Sequence, residues 1–562
     1  MPNIQNVVIV GGGPSAIALM DQFAVLLEEY HIIHPLKNTY LKIIVIDKQS
    51  LFGKGFPYSD FNALPEHTLG RTRTTRLKKG SHLERRFYKA QNRLQQQAEV
   101  ELRPLDEVID LDPLTESQSW QVELASGELL LASHVILATG HWDSSSPMAE
   151  HEGYFDSPWP VNLIQEQILP NQHVILMGAF QTGLDAAVSL ALQNGKFVTD
   201  PYKGFIYHKK AGCEQFRLTL CSRHGFFPRV VGHTQLSQDS PFIIMEQLPM
   251  AKEAGGGFIA LDTIYQLIWE KFSGAGIAEQ LKMSYPGIGG ENFDHDLLII
   301  QQQLSQRDPH TDLKQSVQKA QESIKGKIST TWLEILWDNT ESFYSFFPWL
   351  SAEDRLRLER VWTTVFGFVE AINLVMAQRI LALMDAGVLQ ITALGEHPTV
   401  THISPQNLAT DTLQDSFSVK GEGVSLTAPY FIDCTGQKLS VEHSTSLLLK
   451  NLLNKGMIQS AQIPFRSQNT EINYSSHKDR KRGVVKQIAD HQVYCSGGIF
   501  VDPNTLSVIP SPELQEASPK CYAIGPLTIG QFPIYPGLYG TRFAAKKIVP
   551  DILENLLGNA IS

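Results

Sequence analysis

Val7-Val-Ile-Val-Gly11-Gly-Gly13-Pro14-Ser15-Ala16 runs an apolar strand straight into a glycine turn. Four consecutive β-branched residues, Val7 to Val10, read as a parallel strand buried on both faces. Gly11, Gly13 and Ala16 fill the three small-residue positions of the dinucleotide fingerprint. Gly11 permits the tight turn, Gly13 leaves room for a pyrophosphate beside the backbone, and Ala16 lets the following helix pack on its strand. That helix is expected from about Ser15 to Tyr30. Its start offers unpaired N–H groups and a positive dipole end to phosphates.

A second strand, Leu41-Lys-Ile-Ile-Val-Ile-Asp47, ends in a carboxylate placed to accept bonds from ribose hydroxyls, with Lys48 beside it. Such an acid normally follows the turn by about 20 residues. Here it comes later, because His31 to Tyr40 is inserted between helix and strand.

The chain has 562 residues, enough for about two to four domains. A composition of 43% hydrophobic and 19% charged residues is that of a globular protein. The net charge of −11 argues against nonspecific binding to nucleic acid or to anionic membrane. No signal peptide is expected, since the N-terminus already reads as a strand, and no apolar run reaches the ~18 residues of a membrane span. The five cysteines (Cys213, Cys221, Cys434, Cys495, Cys521) include no Cys-x-x-Cys pair. That disfavours a dithiol reductase and fits a reducing cytoplasm. No histidine spacing points to a metal.

Further strand-to-glycine units follow along the chain. Ser133-His-Val-Ile-Leu-Ala-Thr139-Gly140 is one. His173-Val-Ile-Leu-Met-Gly178-Ala-Phe180-Gln181-Thr182-Gly183 is a second fingerprint. Tyr430-Phe-Ile-Asp-Cys-Thr-Gly436 repeats the Thr-Gly ending. Cys521-Tyr-Ala-Ile-Gly525-Pro526-Leu-Thr528-Ile-Gly530 is the last strand and turn, before a closing helix from Tyr539 to Leu557. This order resembles the flavoproteins with two dinucleotide-binding domains, in which an NAD(P) domain is inserted into an FAD domain. More closely it resembles bacterial FAD/NAD(P)-binding proteins allied to the class B, N-hydroxylating flavin monooxygenases. Phe52-Gly53-Lys-Gly55-Phe-Pro-Tyr58-Ser, Ser157-Pro-Trp159, Cys221-Ser222-Arg223-His-Gly225-Phe-Phe-Pro228 and Ala523-Ile-Gly525-Pro-Leu-Thr carry the resemblance, over most of 1–235 and 425–557.

The resemblance implies an α/β fold: an FAD-binding Rossmann-like domain, an inserted NAD(P)-binding one, and a mainly helical cap. The expected boundaries are 1–145, 146–250, 251–395 and 396–562. It implies FAD held by Gly11, Gly13, Pro14, Ser15, Ala16, Asp47, Lys48, Gly53, Gly55, Tyr58, Thr139, Gly140, Gly525, Pro526, Thr528 and Gly537. NADPH would lie on Gly178, Gln181, Thr182, Ser222 and Arg223. Two residues oppose each other here. Arg223, just past the strand Leu218 to Ser222, stands where a 2′-phosphate would be gripped by a bidentate fork. Phe180 replaces the middle glycine of the second fingerprint and puts a benzyl group where a pyrophosphate should approach, so that unit is alternatively a scaffold.

The basic run of Arg71, Arg73, Arg76, Lys78, Lys79, Arg85 and Arg86 is either a solvated face or a site for an anionic substrate or cofactor phosphate. From Phe258 to Leu394 apolar periodicity predicts helices, including Leu261 to Trp269 and a long run from Trp362 to Met384. Asn373, Gln378 and Arg379 on that run read as satisfied core polar groups. The implied activity is an NAD(P)H-dependent monooxygenase acting on a small, amine or anionic substrate through a flavin C4a-(hydro)peroxide. The alternatives are a flavin oxidase or dehydrogenase reduced by its substrate and a non-catalytic flavin redox sensor. No catalytic acid or base stands out in the sequence.

Overall fold

A computed structural model describes residues 3–33, 39–68, 75–232, 246–274, 276–327, 333, 345–369, 371–404, 415–467, 483–488, 490–514, 519–533 and 538–561. Strand Asn3–Val10 lies at the centre of a five-stranded, all-parallel sheet. Val7, Val8, Ile9 and Val10 face Ile43 to Ile46 of strand Thr39–Asp47 on one side and His134 to Leu137 on the other. None of the four is more than 5% exposed, as a strand covered on both faces requires. Glu99–Pro104 extends the sheet at one edge and Cys521–Ala523 closes the other. Helix Pro14–Ile33 connects the first two strands and packs against helices Arg76–Leu94 and Leu538–Ile561.

The second unit repeats this plan. Strand His173–Met177 is central in another all-parallel, five-stranded sheet, flanked by Arg217–Ser222 and Tyr430–Asp433. Leu389–Ala393 and Tyr154–Phe155 form its edges. In each unit a helix, Arg76–Leu94 or Leu374–Asp385, precedes the third strand. In each, a three-stranded antiparallel meander then leads to the strand that ends in Thr-Gly.

That repeat corrects the expected boundary at 395/396. Strands Leu389–Ala393 to Tyr430–Asp433 belong to the second unit, because Tyr430–Asp433 hydrogen-bonds to His173–Met177. The chain returns to the first unit afterwards. There helix Leu447–Asn454 docks on Val108–Leu114, and the Asn451 amide donates to the Ile109 carbonyl at 2.9 Å. Ser144 and Ser444 bridge the two connecting strands.

The central segment is helical, but the run from Trp362 to Met384 is two helices, Trp362–Val369 and Leu374–Asp385. Ile372–Asn373 leaves the helical path to pair with Val230–Val231. The buried Asn373 side chain then caps the next helix by accepting from the Met376 N–H at 3.0 Å. Arg379 donates to the Glu66 carbonyl and lies over the Phe205 ring. Leu261, Ile264, Leu297, Phe347 and Leu358 share one core with the first sheet, so this segment packs on the nucleotide domain. It also holds an apolar pocket of about 130 Å³. Among the described residues no helix is long and apolar enough to cross a membrane.

The two units meet through buried polar groups. Arg76, 9% exposed, pairs with the fully buried Asp185 at 2.7 Å and lies over the Trp159 ring. The Gln181 amide donates to the Thr68 carbonyl at 3.1 Å. The buried His67 ring accepts from the Leu64 N–H at Nδ1, which makes Nε2 the donor to Ser189 Oγ at 2.8 Å. Removing one partner of a buried ion pair strands the other, at about 3–5 kcal/mol. Arg76→Met is therefore expected to lower the thermal midpoint sharply. The double variant Arg76→Met/Asp185→Leu should recover most of that loss; a double variant as unstable as the single one would refute the coupling.

Two core strands begin with histidines held neutral by burial. His134 and His173 each have a pKa pushed down from 6.5 to about 4. The unfolded chain takes up a proton at each near pH 6.5, and the folded chain only near pH 4. Their stabilising contribution is thus complete above pH 6.5 and is lost as pH falls towards 4. Thermal midpoints measured across that window should fall, with a shallower slope in His134→Gln/His173→Gln.

Candidate dinucleotide site

Backbone crowding, not side-chain chemistry, shapes the first turn. Gly11 has φ +114°, its N–H donates to the Ile46 carbonyl at 2.8 Å, and a Cβ there would collide with the Ala138 carbonyl. The second glycine, Gly12, is equally constrained: a Cβ would enter the Phe52 ring, and its N–H donates to Asp47 Oδ2 at 2.6 Å. Gly13 faces backbone, with Gly55 Cα 3.4 Å from where a Cβ would stand. Pro14 contributes no N–H at the first helical position, where none is needed. Ser15 and Ala16 are buried, and Ala16 N–H reaches the Gly13 carbonyl at 3.1 Å.

The second loop interlocks with the first. Gly53 N–H donates to the Gly12 carbonyl at 2.7 Å, and Gly53 and Gly55 both have positive φ. Tyr58 lies further along, where its carbonyl abuts Gly80 of helix Arg76–Leu94. Asp47 accepts from both Gly12 and Gln49, yet burial pushes its pKa up from the ordinary value. Lys48 is exposed beside it. Thr139 and Gly140 continue past the Ala138 contact, with Gly140 at φ +78° and open space around it.

The closing turn meets the same helix start. Gly525 lies against Ser15 Oγ, and the buried Thr528 hydroxyl donates to the Gly525 carbonyl at 2.9 Å, beside buried Pro526. From the helical segment, buried Arg355 donates to the Gly530 carbonyl at 3.2 Å and lies over the Phe347 ring. Gly537, Arg71 and Arg73 lie outside the described residues.

Of the basic run, Arg76 pairs with Asp185, Arg86 with Asp21 at 2.6 Å, and Lys78 and Arg85 are exposed. Lys79 differs. Burial and the cations of Arg86 and Arg542 hold its pKa below the ordinary lysine value.

The second turn copies the first. Gly178 has φ +122°, its N–H donates to the Cys221 carbonyl at 2.8 Å, and a Cβ would stand 2.6 Å from the Cys434 carbonyl. Gly183 takes the close-packing position of Ala16, against the Gly178 carbonyl. Its side chains are engaged elsewhere. Phe180 packs against Phe366 with the rings tilted by 54° and centroids 5.5 Å apart, and the Gln181 amide is shared between Thr68 and Asp185. Thr182 is half-buried, and Ser222 Oγ accepts from the Gly225 N–H at 2.9 Å. Arg223 faces Glu396 at 3.9 Å, so a carboxylate stands where a 2′-phosphate was expected. The structure also gathers His151, His402 and Asp415, whose ligand atoms lie within 4.8 Å of one another. The two imidazoles stack face to face at 3.7 Å, which leaves their lone pairs parallel and not converging on one ion.

Residues 245–369 match the family model described as the YdhS-like middle domain. The segment that carries none of the flavoprotein motifs is thus the one that family describes. The curated protein YdhS of Escherichia coli K12, itself termed uncharacterized, is 26% identical over 306 residues, 54% of each chain. The chain therefore spans about half the length of that relative. Among solved structures, the ornithine hydroxylase PvdA from Pseudomonas aeruginosa aligns over 98% of this chain and 100% of its own, with 11% identity and TM-score 0.41. L-lysine 6-monooxygenase from Pseudomonas syringae aligns over 98% and 100%, with 10% identity and TM-score 0.41. The bacillithiol disulfide reductase Bdr (YpdA) from Staphylococcus aureus aligns over 98% and 99%, with 9% identity and TM-score 0.39. The strand order and the paired glycine turns are themselves those of the two-dinucleotide-binding-domain flavoprotein fold.

The first turn fits an FAD: glycines a Cβ would block and a carboxylate at the strand end. The second has the glycines at both ends and Phe180 in place of the middle one. Gly12→Ala drives a methyl into Phe52, whereas Gly13→Ala makes only a tight contact with Gly55. The ratio of flavin absorbance to protein should therefore fall at least about tenfold in Gly12→Ala and change little in Gly13→Ala. Equal flavin content in the two variants would contradict this geometry.

Proposed function

We propose that this protein is an FAD-dependent oxidoreductase of the monooxygenase type, acting on a small molecule. The observation that carries the reading is the first glycine turn, closed on three sides by backbone from Ala138, Gly55 and Gly525. Bound FAD supplies hydride and oxygen chemistry. This chain's residues bind and orient it. The positive end of helix Pro14–Ile33 would face the pyrophosphate. Asp47 keeps lone pairs for ribose hydroxyls after accepting from Gly12 and Gln49. The Gly525–Thr528 turn sets one wall, and the helical segment, tied to it by Arg355, excludes water.

Phe180 supports a second reading, in which the substrate itself reduces the flavin. Its ring, packed on Phe366, stands in place of the glycine that would leave room for a nicotinamide dinucleotide's pyrophosphate. Anaerobic rapid mixing with NADPH separates the readings. Wild type is expected to bleach slowly, and Phe180→Gly at least about tenfold faster, a gap of ~1.4 kcal/mol in the barrier. Fast bleaching in both would remove Phe180 as a gate. No bleaching in either, with flavin fully bound, would establish the substrate-reduced oxidase or a redox sensor, told apart by oxygen uptake with candidate amines.

A further inference from the structure

We propose that the cavity of the helical segment binds an uncharged, single-ring aromatic molecule. It lies within the stretch matched by the YdhS-like middle domain and is walled by apolar side chains, among them Tyr265, Trp269, Phe293, Phe346, Phe347 and Phe368. Its volume of about 130 Å³ is close to that of engineered apolar cavities, roughly 150 Å³, that stay dry and take up benzene. Water is a poor occupant because it needs two to four polar partners. The hydroxyl in the wall, Tyr265 Oη, already donates to Asp296 Oδ2 at 2.7 Å. Aromatic walls favour a ring over a chain, through edge-to-face and offset contacts.

Charge selects further. Among the described residues no lysine or arginine lines the cavity, and the helices around it carry Asp262, Asp294 and Asp354, all three bonded to Arg357. A carboxylate on the ring would have no cation in the wall to pair with, because the nearby Arg357 is already taken up by these three acids. A cation would meet no carboxylate oxygen inside. The neutral ring is the occupant that remains. The site also touches the nucleotide domain: its wall residue Phe347 lies under Arg355, which holds the Gly530 carbonyl of the closing turn. Binding does not depend on the flavin reading, since every lining residue comes from the helical segment.

The experiment uses the full chain as purified, with toluene and benzoate as paired probes. The thermal midpoint should rise saturably with toluene and stay unchanged with benzoate. Val365→Phe, which adds a ring to the wall, should weaken the toluene response at least about tenfold. A wild-type protein indifferent to toluene would show a packing void only, and an equal response to benzoate would overturn the charge argument. A folded Val365→Phe that responds like wild type would place the binding elsewhere. If that variant does not fold, xenon pressure on wild-type crystals decides between a site and a filled core. A xenon atom between Trp269 and Phe347 supports the site, and an empty cavity under pressure refutes it.

Discussion

Each half of this molecule is organised around one contact without side chains: a glycine Cα pressed against a carbonyl from the neighbouring strand. Gly11 meets the Ala138 carbonyl and Gly178 meets the Cys434 carbonyl, both at positive φ. The strands beneath are held in register by matching bonds, Ala138 N–H to the Val10 carbonyl and Cys434 N–H to the Met177 carbonyl, at 2.8 and 2.7 Å. Everything a dinucleotide would touch is hung from that crossing, including the helix start, the acid at the next strand end and the Thr-Gly beyond. Any side chain at Gly11 or Gly178 would separate two central strands, not merely block a ligand.

From this shared plan the two sites diverge through what surrounds them. Around the first turn the neighbours are mostly backbone and small or polar groups, with the Phe52 ring against Gly12, and the loop Gly53 to Gly55 follows the backbone closely. Around the second, Phe180, Phe366 and Trp362 form an aromatic path, with ring centroids 5.5 and 5.6 Å apart, that continues to Phe347 at 6.1 Å. The helical segment thus touches both halves, through Phe366 on the second turn and Arg355 on the closing turn of the first.

The glycine turns, the parallel strands and the final strand and helix were legible because each needs a residue type that little else demands. Val7 to Val10 followed by glycines admits few other structures. The boundary near 395 was not legible, since Leu389–Ala393 and the meander after it read equally well as part of either unit. Only the hydrogen bonding of Tyr430–Asp433 to His173–Met177 assigns them. Gly12 was visible in the sequence but not its role, which depends on a ring 40 positions away, Phe52. Arg223 shows the reverse: its place past the strand was legible, while Glu396, far along the chain, faces it. The apolar helices gave their periodicity but could not reveal that their packing leaves a void.

The edge strand Cys521–Ala523 closes the first sheet on strand His134–Leu137, with the whole second unit spelled out between them. Such pairings close slowly, because the loop entropy is lost before the contact is gained. During synthesis the inserted unit holds all its own strands by Asp433, while the first sheet still lacks an edge. The domain that begins the chain is therefore the last to be completed. Until the closing strand has been synthesised, His134–Leu137 is an open edge of that sheet.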